Sequence, residues 1–397
     1  MTERAFDIVL YGASGFTGQL VAEYLASAHA ELRWAIAGRN QQKLERCRRD
    51  LGTPDLPILI ADSDDANQLK AMALQAKVII STVGPYARHG SLLLETCARE
   101  GTHYRDSTAE AQCMAEVYAK GDPLAKASGA RLVHCCGFDS IPSDLSVYFL
   151  QKEFKERFGR YASRVSGRMG RASGGVSGGT VASLMLVAEQ ASQDPVIRAR
   201  IMDPYALYPA DVSPGSDKPD QTGVAWDDDF GSWTAPFVMA AINTKVVRRS
   251  HALAGLPYGD DFGYDESQLC DSRAKALLSA GGLGTVMAGT FFAPTRALLK
   301  KLLPDPGEGP DESKRENGFF EFWTHGSDGS DHLRVKVTGQ RDPGYGATSR
   351  MLAQAALCLA QDSLAVGGGI WTPASAMGDA LLQRLPGVDI HFKVVED

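Results

Sequence analysis

The stretch Asp7-Ile-Val-Leu-Tyr11-Gly12-Ala-Ser-Gly15-Phe-Thr-Gly18 decides the fold. Asp7–Tyr11 reads as a short, largely apolar strand, and the pattern from Thr17 to Ser27 reads as a helix. Between them stand glycines at 12, 15 and 18, a tight turn without Cβ atoms. Such a turn lets a pyrophosphate approach the backbone N–H groups at the helix N-terminus, where the helix dipole favours anions. Strand, glycine turn and helix in this order are the context that a dinucleotide site requires, although GxxGxxG is a variant of the usual GxGxxG spacing. Gly12, Ser14, Gly15, Phe16, Thr17 and Gly18 are therefore assigned to cofactor binding.

The same punctuation repeats as far as Cys136: Arg33–Ala37 then Gln41–Asp50, Ile58–Ala61 then Ala66–Gln75, Val78–Val83 then Ser91–Arg99. Apolar runs without in/out alternation mark strands covered on both faces, and helical crossovers between them make the sheet parallel. With His103–Asp106 and Leu132–Cys135 the sheet has about six strands, so the fold class is α/β with an N-terminal Rossmann-type doubly wound sheet over residues 1–150. After Gly159 the rhythm changes. Gly170, Gly174, Gly175, Gly178 and Gly179 read as turns, Thr180–Gln193 as a helix, and Asp211–Gly223 as a loop. Phe319–His325 and Leu333–Gly339 alternate about Gly326-Ser-Asp-Gly-Ser330 as a hairpin, and Ala347–Asp362 is a long amphipathic pattern. A second α+β domain over 151–343 and C-terminal helices over 344–397 follow.

Composition bounds the function. The chain has 397 residues, a net charge of −7, 44% hydrophobic and 22% charged residues, which describes an ordinary globular protein of two or three domains. A negative chain without a concentrated basic surface is unsuited to neutralising phosphates, so nucleic acid is not expected as a partner. Seven cysteines at 47, 97, 113, 135, 136, 270 and 358 fit neither a disulfide framework nor a zinc knuckle. They point to a reducing compartment, and no apolar secretory core precedes the first strand, so a cytoplasmic protein without a metal is expected.

The second strand chooses the cofactor. An acid at its end would accept from the ribose 2′-OH of NAD; here the strand ends in Ala37-Gly38-Arg39-Asn40, with Lys43 one helical turn on. Arg39, Asn40 and Lys43 suit a 2′-phosphate, so the cofactor is read as NADP(H). Asp62, ending the third strand, is placed to accept from the adenine amino group, and Val83-Gly84-Pro85 to pass beside the nicotinamide.

Two motifs invite other readings. Tyr148 and Lys152 spell YxxxK, the proton-donating pair of short-chain dehydrogenases, but the serine expected one strand earlier is replaced by Cys135 and Cys136. Ala276–Thr295 is uncharged over twenty residues, and Arg296-Ala-Leu-Leu-Lys-Lys-Leu-Leu303 follows. Its glycines and threonines weaken a membrane span, so the segment reads first as a buried core helix and second as a peripheral, lipid-facing element over 276–303.

Gly12–Gly18, Ala37–Asn40, Ser81-Thr-Val-Gly-Pro-Tyr86, Gly101-Thr-His-Tyr-Arg-Asp106 and Cys136-Gly-Phe-Asp-Ser-Ile-Pro-Ser-Asp144 together resemble the saccharopine dehydrogenase-like oxidoreductases, and within them the trans-acting enoyl reductases. The likeness continues through Pro306–Pro310, Arg315–Gly318, Gly344–Ser349 and Gly367–Ala374, so it spans the chain. It implies an NADP-binding Rossmann domain, a second domain closing over the nicotinamide, and a C-terminal helix returning to the first. It also implies a lipid-linked or polyketide-type enoyl substrate and, for some relatives, membrane association. Saccharopine reductase-like reduction of an amino-acid adduct ranks second, because it needs clustered arginines and the chain offers only Arg164, Arg168 and Arg171. A non-catalytic NADP(H)-binding, lipid-associated scaffold is the third reading. Exposed strands in the second domain leave room for a homodimer.

Reduction of an activated C=C needs hydride at the β-carbon, a stabilised enolate oxygen and a proton at the α-carbon. In a doubly wound sheet these groups belong at the strand C-termini, which collect Tyr104, Asp106 and Asp139 as candidate catalytic residues, Tyr104 being the preferred proton donor. Each also has a structural reading: Tyr104 as packing, Asp106 as a helix cap, and Asp139 or Ser140 as the N-cap of the helix from Pro142. Glu110 reads as a capping-box partner of Ser107.

Overall fold

The computed structural model describes residues 3–174, 178–215, 217–291 and 309–396. It opens with β1 (Phe6–Tyr11), the glycine turn and α1 (Phe16–Ala28). There follow β2 (Trp34–Gly38), α2 (Gln41–Asp50), β3 (Ile58–Ile60), α3 (Ala66–Ala73), β4 (Ala76–Ser81), α4 (Tyr86–His89), α5 (Ser91–Glu100), β5 (His103–Arg105), α6 (Ala111–Ser128), β6 (Arg131–Val133) and α7 (Ile141–Phe158). The strands pair in parallel in the order β6-β5-β4-β1-β2-β3, the doubly wound arrangement. Burial on both faces explains the missing alternation. Ile8 and Leu10 enter one apolar cluster while Val9 and Tyr11, pointing the other way, enter a second.

The chain continues with β7 (Arg164–Ser173), α8 (Gly178–Gln193), α9 (Pro195–Met202), β8 (Ala225–Asp227), β9 (Ser232–Ala235), α10 (Ala240–Leu253), β10 (Gly263–Cys270), α11 (Arg273–Phe291), β11 (Phe319–Asp328) and β12 (Asp331–Gln340). The chain then enters the helix Thr348–Gln361, β13 (Gly369–Trp371), the helix Pro373–Arg384 and β14 (Ile390–Val395). The second sheet runs β14-β12-β11-β7-β10-β9-β8, with β7 and β10 parallel and the other neighbours antiparallel.

The C-terminal stretch serves both sheets. β13 pairs in parallel with β6 and makes the first sheet seven-stranded, one more than the sequence rhythm counts, whereas β14 pairs with β12. Between them the helix Thr348–Gln361 places Met351, Leu352 and Ala355 in the cluster that holds Ile8, Leu10, Val78 and Ile80. Its apolar face thus covers the first sheet.

Several local expectations change, and Gly178 and Gly179, expected in turns, open α8. Gly170 lies inside β7 rather than in a turn, because the Trp323 indole on β11 approaches to 3.1 Å of where a Cβ would stand. The β11–β12 ladder runs to Asp328↔Asp331, so Gly326 pairs with Leu333 and the turn is confined to Gly329-Ser330. Finally, α11 is not a core helix. Leu277 and Leu278 are 55% and 77% exposed, and no described helix is long and apolar enough to cross a membrane. Residues 292–303 of that sequence segment lie outside the described residues.

Candidate active site

The C-terminal ends of β1, β2 and β4 open into a cavity of about 550 Å³ that α8, α9 and α10 wall on the other side. Gly12, Ser14, Gly15, Phe16 and Thr17 line the end of it at the glycine turn. Gly12 has a φ of +92°, and a Cβ there would stand 2.7 Å from Thr82 Oγ1 and 2.8 Å from Val83 Cγ2. Glycine is therefore needed both for the turn and for the closeness of the β4 end. The N-cap of α1, Gly15, has no side chain to cap it. Ser14 and Thr17 line the cavity beside it, and the first N–H groups of a helix form a place that favours anions.

Arg39 stands at the end of β2 in the cavity wall, and Val83, Gly84 and Pro85 line the wall after β4. The remaining cofactor candidates lie outside it. Gly18 packs on the turn, since a Cβ there would collide with the Gly12 carbonyl oxygen. Asn40 is the N-cap of α2, its Oδ1 accepting from the Lys43 N–H at 3.0 Å, and the Lys43 side chain is exposed. Asp62 closes a turn, accepting from the Asp64 N–H at 3.1 Å.

Of the catalytic candidates, the structure brings Asp139 to the cavity and leaves Tyr104 and Asp106 behind its wall. Tyr104 and Asp106 are 0% and 1% exposed, and the Tyr104 hydroxyl donates to Asp106 Oδ2 at 2.8 Å. Burial, reinforced by the Asp106 carboxylate, holds the Tyr104 phenol well above its usual range, which makes it a poor proton donor. Asp106 also accepts from the Thr108 N–H at 3.1 Å and meets His134 Nδ1 at 2.9 Å. It is a buried hub of the loop after β5. Asp139 behaves differently: the residue lines the cavity, no described residue hydrogen-bonds its carboxyl, and burial raises its pKa to about 6. It is not a helix cap, because Ser140 occupies the N-cap of α7 and its hydroxyl donates to Asn243 at 3.0 Å.

Sequence reasoning missed most of the far wall. Val187 of α8, Ile201 of α9, and Val238, Met239 and Ile242 at and before α10 make this half apolar. Their signal is tertiary. Tyr86, Ser107, Ser183, Tyr345 and Thr348 supply hydroxyls, several already engaged: Ser183 donates to Glu110 at 2.8 Å and Thr348 to the Pro343 carbonyl at 2.8 Å. Glu110 is not the partner of Ser107. Its carboxylate accepts instead from the N–H groups of Tyr86 and Ala87, at 3.0 and 2.8 Å.

The YxxxK pair lies elsewhere, with Lys152 bonded to Asp379 at 2.8 Å on the surface. Arg164, Arg168 and Arg171 sit on β7, paired with Asp217, Asp265, Asp227 and Glu321 rather than with the cavity. Among the described residues Arg39 is the one Lys or Arg of the cavity wall. No group of three metal-ligating side chains occurs among the described residues.

A doubly wound sheet with a glycine turn, an uncapped helix N-terminus and an Arg39-marked wall defines a nicotinamide-dinucleotide oxidoreductase. Residues 8–133 match the saccharopine dehydrogenase NADP binding domain, and the cofactor is NADP(H). A Mycobacterium tuberculosis protein is 41% identical over 411 residues, covering 99% of this chain and 98% of its own length. The trans-acting enoyl reductases of Mycobacterium tuberculosis and Mycobacterium leprae are 38% and 36% identical, each alignment covering 98% of this chain and 97% of theirs. The apo saccharopine dehydrogenase (L-Glu forming) of Saccharomyces cerevisiae shares the fold, with a TM-score of 0.57 at 13% identity over 98% of this chain and all of that one. The chain belongs to the saccharopine dehydrogenase-like oxidoreductases, in the group of the trans-acting enoyl reductases.

Proposed function

We propose that the chain uses NADPH to reduce the activated C=C bond of an enoyl substrate of lipid or polyketide type. The observation that carries this reading is the composition of the cavity beyond Pro85. Val187, Ile201, Val238, Met239 and Ile242 form an apolar wall, Asp139 is its one carboxylic acid among the described residues, and the cation Arg39 stands at the cofactor end. An acyl chain fits such a wall. An amino-acid adduct with several carboxylates would leave its charges unpaired there, at a cost of several kcal/mol.

In this reading the bound nicotinamide supplies hydride to the β-carbon. Ser14, Thr17 and the first N–H groups of α1 hold the pyrophosphate, and Arg39 pairs with the 2′-phosphate. Asp139, hydrogen-bonded by none of the described residues and raised to about 6 by burial, donates the proton that reaches the α-carbon. The apolar wall orients the acyl chain and excludes water. A peripheral lipid contact through 276–303 belongs to the same proposal, supported on its described part by the exposed Leu277, Leu278, Val286 and Met287 of α11.

The deciding experiment is a steady-state comparison of enoyl thioesters with saccharopine-pathway imines under NADPH. Enoyl turnover that falls at least a hundredfold in Asp139→Asn supports the reading; imine turnover with silent enoyl substrates refutes it.

A further inference from the structure

Glu110 touches both walls of the cavity. It is 0% exposed, lies at the N-cap position of α6, and gives each carboxylate oxygen a defined task. Oε2 accepts from the Ala87 N–H at 2.8 Å, and Oε1 accepts both from the Tyr86 N–H at 3.0 Å and from the Ser183 hydroxyl at 2.8 Å. Tyr86 and Ala87 open α4, whose own N-cap, Pro85, has no side chain to cap it. The carboxylate therefore fixes the Gly84-Pro85 segment in the cofactor half. Ser183 belongs to α8, which forms the substrate half together with α9 and α10.

A second polar contact lies two helical turns along the same helix: Gln112 Nε2 donates to Gln190 Oε1 at 3.1 Å. So α8 meets the start of α6 through Ser183 and Gln190. Charge-assisted hydrogen bonds of a buried carboxylate are short and geometrically demanding, and a small displacement of one partner is passed to the others.

We infer that Glu110 is a positioning residue that couples occupancy of the Gly84-Pro85 loop to the placement of α8, so that cofactor binding sets the substrate wall. The inference rests on the proposed course of the nicotinamide beside that loop. It assigns Glu110 no contact with substrate. Its effect passes through the Tyr86 and Ala87 backbone on one side and the Ser183 hydroxyl on the other.

The test is hydrogen–deuterium exchange of the full chain with and without NADPH, on wild type, Ser183→Ala, Ser183→Thr and Glu110→Gln, with thermal midpoints to confirm folding. In wild type NADPH is expected to slow exchange both at 84–87 and across 178–193. Ser183→Ala should keep the protection at 84–87 and lose at least two thirds of that at 178–193, and Ser183→Thr, which restores the hydroxyl, should recover it. Glu110→Gln turns an acceptor into an amide that faces a backbone N–H, and should weaken NADPH binding about tenfold. Protection of 178–193 that survives in Ser183→Ala overturns the coupling while leaving the cofactor loop intact. NADPH that protects neither segment in wild type overturns both the coupling and the loop assignment.

Discussion

Phe16 and Tyr345 meet edge to face with ring centroids 4.6 Å apart, joining the first turn of α1 to the segment that precedes the helix Thr348–Gln361. Both rings line the cavity, and the Arg315 guanidinium lies 5.4 Å from the Phe16 ring. The C-terminal part of the chain thereby closes the end of the cavity at the glycine turn. An aromatic pair of this kind contributes about 0.5–1.5 kcal/mol beyond its buried area. Tyr345→Ala is expected to weaken NADPH binding about three- to tenfold in a fluorescence titration, with the thermal midpoint lowered by a few degrees at most. An unchanged Kd would mean that the pair is packing alone.

Arg39 follows β2, so a cation holds the position at the strand end from which an acid would accept from a ribose 2′-OH. Arg39→Asp removes the proposed partner of the 2′-phosphate and installs the carboxylate that a free ribose prefers. NADPH affinity should fall at least thirtyfold and NADH affinity should rise, so that their order reverses. Titration of both cofactors on both proteins reads this directly, and a variant that still prefers NADPH would remove Arg39 from the site.

Asp139 carries the pH dependence of the proposed reaction. Burial raises its carboxyl to about 6, so the protonated form that acts as an acid is populated below that value and lost above it. kcat should therefore fall as pH rises through about 6. Asp139→Asn cannot supply the proton and should lose about 10²–10⁴ in kcat, with the descending limb abolished. A pH profile unchanged in the variant would assign that limb to another group.

The glycine turn and the parallel sheet were legible because both are local signals: a Cβ-free turn between two periodic segments, and runs buried on both faces. The place of Asp139 on the cavity was legible for a related reason, since ligands collect at strand C-termini. Tyr104 and Asp106 follow the same rule and yet turn inward. Side chains alternate along a strand, and edge placement does not say which face a given residue takes. β13 escaped because a three-residue strand, Gly369–Trp371, has no periodicity of its own and exists only by pairing with Arg131–Val133. The apolar wall of Val187, Ile201, Met239 and Ile242 escaped because it is assembled from three separate elements. A helix face that lines a cavity carries the same pattern as one that lines a core.

Behind the site, two further buried carboxyls make stability depend on pH. Asp144, at the start of α7, accepts from the Ser250 hydroxyl and from the Ala374 N–H, and burial pushes it up to about 7. Glu266 on β10 is raised to about 7 by burial, against hydrogen bonds from Asn243 at 2.7 Å, Tyr264 at 3.0 Å and Ser143 at 3.3 Å. Both pKa values lie above those of the unfolded chain, about 4, so between pH 4 and 7 the folded state binds protons that the unfolded state has released. Stability from these two groups is therefore highest at the acid end of that window and declines as pH rises through 7. Glu266→Gln keeps the shape and neutralises the group. Its thermal midpoint should fall less than that of wild type between pH 5 and 8, with the two curves converging at the acid end. A wild-type midpoint that instead rises steadily from pH 5 to 8 would show that these carboxyls are ionised in the folded chain throughout.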